Sequence, residues 1–172
     1  VLATAPEVAR NSDSDYPYRH DSYFYYLTGF MEPESVLVLV AAHGDTPARS
    51  ILFCREKNVE REIWDGFRYG PAAALDAFGF DEAFAIGELD AQMARLLADV
   101  PALYYAIASN TALDAQVAGW LKAVRAQSRT GIVAPARSHH LLPLLDEMRL
   151  LKDETEQALM LRAATISGAA HV

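Results

Sequence analysis

Seven consecutive apolar residues, Val36 to Ala42 (VLVLVAA), constrain this chain more than any other feature. The run is rich in β-branched side chains and shows no polar alternation, the pattern of a strand buried on both faces and therefore central in its sheet. Turn residues follow at His43-Gly44-Asp45-Thr46-Pro47, then a second apolar run, Ser50 to Cys54 (SILFC), so the pair reads as a hairpin. Shorter strands are expected at Val1 to Ala5, Ala83 to Ile86, Leu103 to Ile107 and Ile132 to Ala134. Between them lie helical patterns. Leu89, Met93, Leu96 and Leu97 share a face within Leu89 to Val100, and Asn110 is a good N-cap for a segment striped by Leu113, Val117, Trp120, Leu121 and Val124, with Gly131 closing the region. Strands alternating with helices predict an α/β fold, and the hairpin makes its sheet mixed, with helices flanking it. A length of 172 residues with 52% hydrophobic composition suits one domain with a sizeable core.

After Pro135 the character changes. His139 to Arg149 reads as a short helical pattern interrupted by Pro143. Asp153 and Glu156 then form a capping box ahead of a helix carrying Leu159, Ala163, Ile166 and Ala170 on one face, a stripe that calls for burial against something. Neither end carries a boundary signal. The start shows no initiator Met and no basic leader, and the last helical pattern reaches Val172 without Gly, Asn or Pro after it, so both ends are expected to continue.

The charge balance argues against several partners. At a net −8, with Lys and Arg scattered, the chain lacks the basic footprint of a nucleic-acid binder. Its longest apolar run is far short of the ~20 residues that cross a bilayer, so no membrane partner is expected. The single Cys54 can form no internal disulfide and sits in an apolar run; it reads as a small buried hydrophobe in a reduced, cytoplasmic setting. The histidines, His20, His43, His139, His140 and His171, form no helical i, i+4 pair, and none is expected to bind metal. No G-x-S-x-G, P-loop or G-x-G-x-x-G occurs, so no catalytic engine is recognisable.

The unusual stretch is Arg10 to Phe30, where three Asp and two Arg lead into an aromatic cluster. Tyr23, Phe24, Tyr26 and Leu27 fit a short amphipathic helix, and the segment reads as an ordered loop pinned by Asp–Arg pairs and capped by an aromatic mini-core. Its wording, NSDSDYPYRHDSYFYYLTGFMEPE (Asn11 to Glu34), strongly resembles the amino-terminal domain of the aminopeptidase P (Xaa-Pro aminopeptidase) family. Agreement continues in EIWDG (Glu62 to Gly66), in Ser128-Arg129 ahead of Ala134-Pro135-Ala136, and in EMRLLK (Glu147 to Lys152).

The resemblance implies a fold of the creatinase/prolidase amino-terminal type over residues 1–151, with 152–172 as the linker and first helix of a "pita-bread" catalytic domain outside the chain. It implies a parent enzyme that removes an amino-terminal residue preceding proline, using two divalent metals, usually manganese, to activate water. The five metal ligands of that family lie in the catalytic domain, so none is carried onto this chain and the isolated chain is expected to be inactive. The implied partners are the chain's own carboxy-terminal catalytic domain, peptides with proline at the second position, and further copies in a homo-oligomer. Asp13, Trp64 and Arg129 match positions where such domains approach an active site, often a neighbouring subunit's. Trp64, in a loop-like setting, would offer a flat wall to a proline ring, Arg129 a planar fork to carbonyls or a carboxylate, and Asp13 an orienting charge. A reading of another class stands beside it: a non-enzymatic polypeptide-binding module of the creatinase-like type.

Overall fold

A computed structural model describes residues 1–44 and 46–171. Asp45, one of the expected turn residues, and Val172 lie outside the described residues. In chain order the elements are β1 (Leu2–Ala3), β2 (Ala9–Asn11), β3 (Ser14–Asp15), α1 (Ser22–Thr28), β4 (Val36–Val40), β5 (Arg49–Cys54), α2 (Val59–Asp65), α3 (Gly70–Phe78), β6 (Glu82–Ala85), α4 (Leu89–Leu96), β7 (Ala102–Tyr105), α5 (Thr111–Arg125), β8 (Arg137–His140), α6 (Leu142–Leu150) and α7 (Glu154–Ala170). Short 3-10 turns lie at Ile86–Glu88 and Ser128–Thr130. The chain divides into two compact units, residues 1–140 and residues 141–172.

The first unit is built on a mixed sheet. β1, β4 and β5 pair antiparallel and β6 joins β5 in parallel, giving the order β1-β4-β5-β6. β7 and β8 form a parallel pair, and the Val1 backbone nitrogen donates to the Tyr104 carbonyl at 2.7 Å, linking that pair to the other side of β1. Period-two alternation sends Val36, Val38, Ile51 and Phe53 to one face. There they meet Leu89 and Met93 of α4 and Leu113, Val117, Trp120 and Val124 of α5 in one core. Leu37, Leu52 and Cys54 point to the other face, where α3 lies against β5 and β6, and Phe78 packs edge to face on both Phe30 and Tyr69 at 5.1 Å. Each fully buried side chain of this size contributes about 1.5–3 kcal/mol relative to exposure.

β4 is central, as its composition predicts, but the strand ends at Val40 and double-sided burial holds only for Val36 to Val38; Leu39 is 55% exposed. The hairpin to β5 is present. Residues 132–134 are not a strand, and the partner of β7 is instead the polar segment Arg137–His140, which sequence patterning assigns in part to a helix. An edge strand pairs through backbone groups and needs no apolar face. Its side chains add two contacts, the His139 ring stacked on Tyr104 at 4.7 Å and His140 Nδ1 accepting from the Ile107 amide at 3.1 Å. Nor does Pro143 interrupt anything: it occupies the first turn of α6, where proline's missing N–H removes no helical bond.

The Arg10 to Phe30 segment is ordered differently from expectation. No Asp–Arg ion pair holds it among the described residues. Instead Thr4 Oγ1 and the Tyr18 hydroxyl share a hydrogen bond at 2.8 Å, the Tyr18 hydroxyl also donates to the Ala5 carbonyl, and Asp21 Oδ1 caps α1 by accepting from the Tyr23 and Phe24 amides. Phe24 supplies the buried face of α1, whereas Tyr26 is exposed.

In the second unit α7 begins at the capping box read from the sequence. Asp153 Oδ1 accepts from the Glu156 amide at 2.8 Å, and Glu156 Oε2 accepts from the Asp153 amide at 2.9 Å. The Leu159, Ala163, Ile166 and Ala170 stripe is exposed along its length, as are Met160 and Leu161 beside it. No helix among the described residues is long and apolar enough to cross a membrane.

Candidate functional site

Trp64 stands on α2, a helix with no buried residue, and is itself 84% exposed. A short helix lacking an apolar footing needs polar fixtures, and here they are dense. Asn58 Oδ1 accepts from the Arg61 amide at 3.0 Å to cap the first turn, and Arg61 Nε pairs with Asp65 Oδ2 one turn on at 3.2 Å. Lys57 Nζ donates to Glu62 Oε1 and to the Arg68 carbonyl, the Arg68 amide donates to Glu62 Oε1 at 2.7 Å, and Arg68 Nη2 holds Asp65. The Lys57 hydrogen bond, with the Arg68 amide, keeps the Glu62 carboxyl below its ordinary range. Burial alone would raise Asp65, but Arg68 and Arg61 together outweigh it and hold that carboxyl low as well. The Lys57 ammonium also lies over the Phe67 ring, 4.1 Å from its centre. Trp64 thus belongs to a helix, not to the loop its flanking residues suggest, because capping and i, i+4 pairing replace the missing apolar face.

Below this cluster the Glu32 carboxylate accepts from the Tyr69 amide at 2.7 Å and faces the Arg55 guanidinium at 3.7 Å, both side chains nearly enclosed. Gly70 makes this bend possible. Its φ is +70°, and a Cβ there would stand 2.9 Å from the Lys57 backbone nitrogen.

Asp13 sits at the tip of the β2–β3 hairpin and Arg129 in the Ser128–Thr130 turn, both exposed. Among the described residues no hydrogen bond, ion pair or ring contact joins any two of Asp13, Trp64 and Arg129. Each is presented outward from its own element, and the three do not assemble a pocket by themselves. The polar clamp of Lys57, Glu62, Asp65 and Arg68 is the part sequence reading missed; its signal was the alternation of charge and aromatic residues from Arg55 to Tyr69. No group of three or more His, Cys, Asp and Glu among the described residues could hold a metal ion.

Comparison with known proteins agrees with this architecture. Residues 1–104 match the family model of the aminopeptidase P N-terminal domain. The chain is 41% identical over 171 residues to the Xaa-Pro aminopeptidase of Escherichia coli strain K12, covering 99% of this chain and 38% of that protein. It is 32% identical over 172 residues to the Xaa-Pro aminopeptidase of Haemophilus influenzae, covering 100% of this chain and 37% of the relative. The solved structure of zinc-substituted E. coli aminopeptidase P in complex with product superposes with a TM-score of 0.93 at 41% identity, over 98% of this chain and 38% of that one. The chain therefore spans well under half the length of the curated relatives it matches. A mixed sheet flanked by helices, the family motifs of the Arg10 to Phe30 segment and a family model matched from β1 into β7 converge on one conclusion: the chain belongs to the aminopeptidase P N-terminal domain family.

Proposed function

We propose that this chain is the substrate-specificity and assembly domain of a Xaa-Pro aminopeptidase, a metallo-exopeptidase that releases an N-terminal residue preceding proline. Residues 1–151 are the amino-terminal domain on this reading, and 152–172 lead into a catalytic domain beyond the chain. The names of the matched relatives support the activity. Zinc substitution in the E. coli relative supports a divalent metal, and the family resemblance puts a manganese pair in the catalytic domain. Peptides with proline second are the expected substrates, a homo-oligomer the expected assembly and the cytoplasm the expected location.

The observation that carries the reading is the exposed indole of Trp64 on a helix locked from beneath by ion pairs. A large aromatic held rigidly away from its own core is poised to line a surface supplied by another domain or subunit. Asp13 and Arg129, equally outward, are proposed as its companions at that approach.

The test is Trp64→Ala in the full-length enzyme that carries this domain. Melting temperature should be nearly unchanged, as for surface substitutions within about 0.5 kcal/mol. The kcat/KM for an Xaa-Pro peptide should fall about tenfold or more, a loss of roughly 1.4 kcal/mol of transition-state stabilisation. Wild-type kcat/KM in the variant overturns the assignment of Trp64.

A further inference from the structure

β5 and β6 run parallel, yet beyond their carboxyl ends the chain departs to opposite faces of the sheet, toward α2 and α3 after β5 and toward α4 after β6. Such a divergence opens a crevice, the place where open α/β sheets bind ligands. A cleft of about 440 Å³ occupies it, lined by Arg55, Glu56, Arg68, Glu34 and the turn from Ala85 to Glu88.

The charges in this cleft are layered. Arg55 is 7% exposed and the Arg68 side chain 13%, whereas Glu34, Glu56 and Glu88 are all exposed. Guanidinium groups therefore form the floor and carboxylates the mouth. The floor is only part-paired. Arg68 Nη2 already holds Asp65, whereas the Arg55 side chain makes no hydrogen bond among the described residues, its nearest counter-charge being Glu32 at 3.7 Å, and the Nε atoms of both arginines are buried without partners. A nearly enclosed guanidinium with its donors unused is costly, and a carboxylate is the group whose two oxygens match its fork. At the mouth, Glu34, Glu56 and Glu88 have no ion pair among the described residues. They would repel a simple anion and hold a cationic end.

From this layering we propose that the cleft binds a small zwitterion, its carboxylate inward on Arg55 and Arg68 and its ammonium outward among the three glutamates. A free α-amino acid is the simplest member of that class. The volume lies within the range of small-molecule sites and leaves room for a side chain. The site is separate from Asp13, Trp64 and Arg129, none of which lines the cleft.

Calorimetric titration of this chain with L-alanine, propionate and ethylamine tests the proposal. L-alanine should bind saturably with a Kd of roughly millimolar strength, propionate about tenfold more weakly, and ethylamine not measurably. Arg68→Met should weaken L-alanine about tenfold. Arg55→Met alone strands the Glu32 charge, so Glu32→Gln with Arg55→Met, which removes both charges and keeps an acceptor for the Tyr69 amide, is the companion variant; it should abolish binding while leaving the circular dichroism intact. The double variant Glu34→Gln, Glu88→Gln should weaken L-alanine and strengthen propionate. Absence of saturable L-alanine binding overturns the proposal, as does binding indifferent to the arginine variants or equal for propionate. No peptide hydrolysis enters the measurement, so its failure is distinguishable from failure of the Xaa-Pro reading.

Discussion

Cys54 ends β5 with no exposure, and burial, reinforced by the nearby Glu32 charge and only partly offset by Arg55, pushes its thiol up to about 12. The thiolate is the reactive form, so a disulfide reagent at about pH 8 should leave native Cys54 unmodified and titrate one thiol after denaturation. The linkage has a definite sign. An acid whose folded pKa lies above its unfolded one binds more protons when folded, so its stabilising contribution is complete below about pH 8.5 and declines as pH rises toward 12. Rapid labelling under native conditions overturns this. The apolar run Ile51 to Phe53 made the burial of Cys54 legible, and helical spacing did the same for Trp120, which is buried and donates Nε1–H to Asp90 at 2.6 Å. The Glu32–Arg55 contact was not legible, because its partners are 23 positions apart and only the fold brings them together.

Among the elements, those closed by a local side-chain bond were readable in advance. Asn110 Oδ1 accepts from the Ala112 and Leu113 amides at 2.9 and 3.2 Å, and the box at Asp153 is equally explicit. Asn110→Ala should destabilise the chain by about 1 kcal/mol, and Asn110→Asp should recover most of the loss; equilibrium denaturation of both variants checks it. α2 and β8 escaped the same reading for opposite reasons. α2 leaves its apolar residues Val59, Ile63 and Trp64 exposed and is held by ion pairs, while β8 is polar throughout and exists because β7 offers it a backbone edge.

Across the whole molecule, the alternation of strand and helix patterns reported the α/β class, and the resemblance of Asn11 to Glu34 reported the family. Residue spacing could not report that the sequence neighbours β6 and β7 belong to different sheets, with the Val1–Tyr104 hydrogen bond linking the β7–β8 pair to the edge at β1. That edge is a seam. On one side β4 and β5 share five paired positions; on the other β7 and β8 share four and end in an exposed polar edge. Opening should therefore be hierarchical. Native-state hydrogen exchange should place the amides of Ala102 to Tyr105 and Arg137 to His140 on a lower free-energy plateau than those of Val36 to Val40 and Arg49 to Cys54, which should exchange only through global unfolding. A single plateau would mean that the apolar layer of α4 and α5, which runs beneath both sides, welds the seam into one cooperative unit. Two plateaus would make the β7–β8 pair a separable foldon, free to breathe while the hairpin of β4 and β5 stays closed.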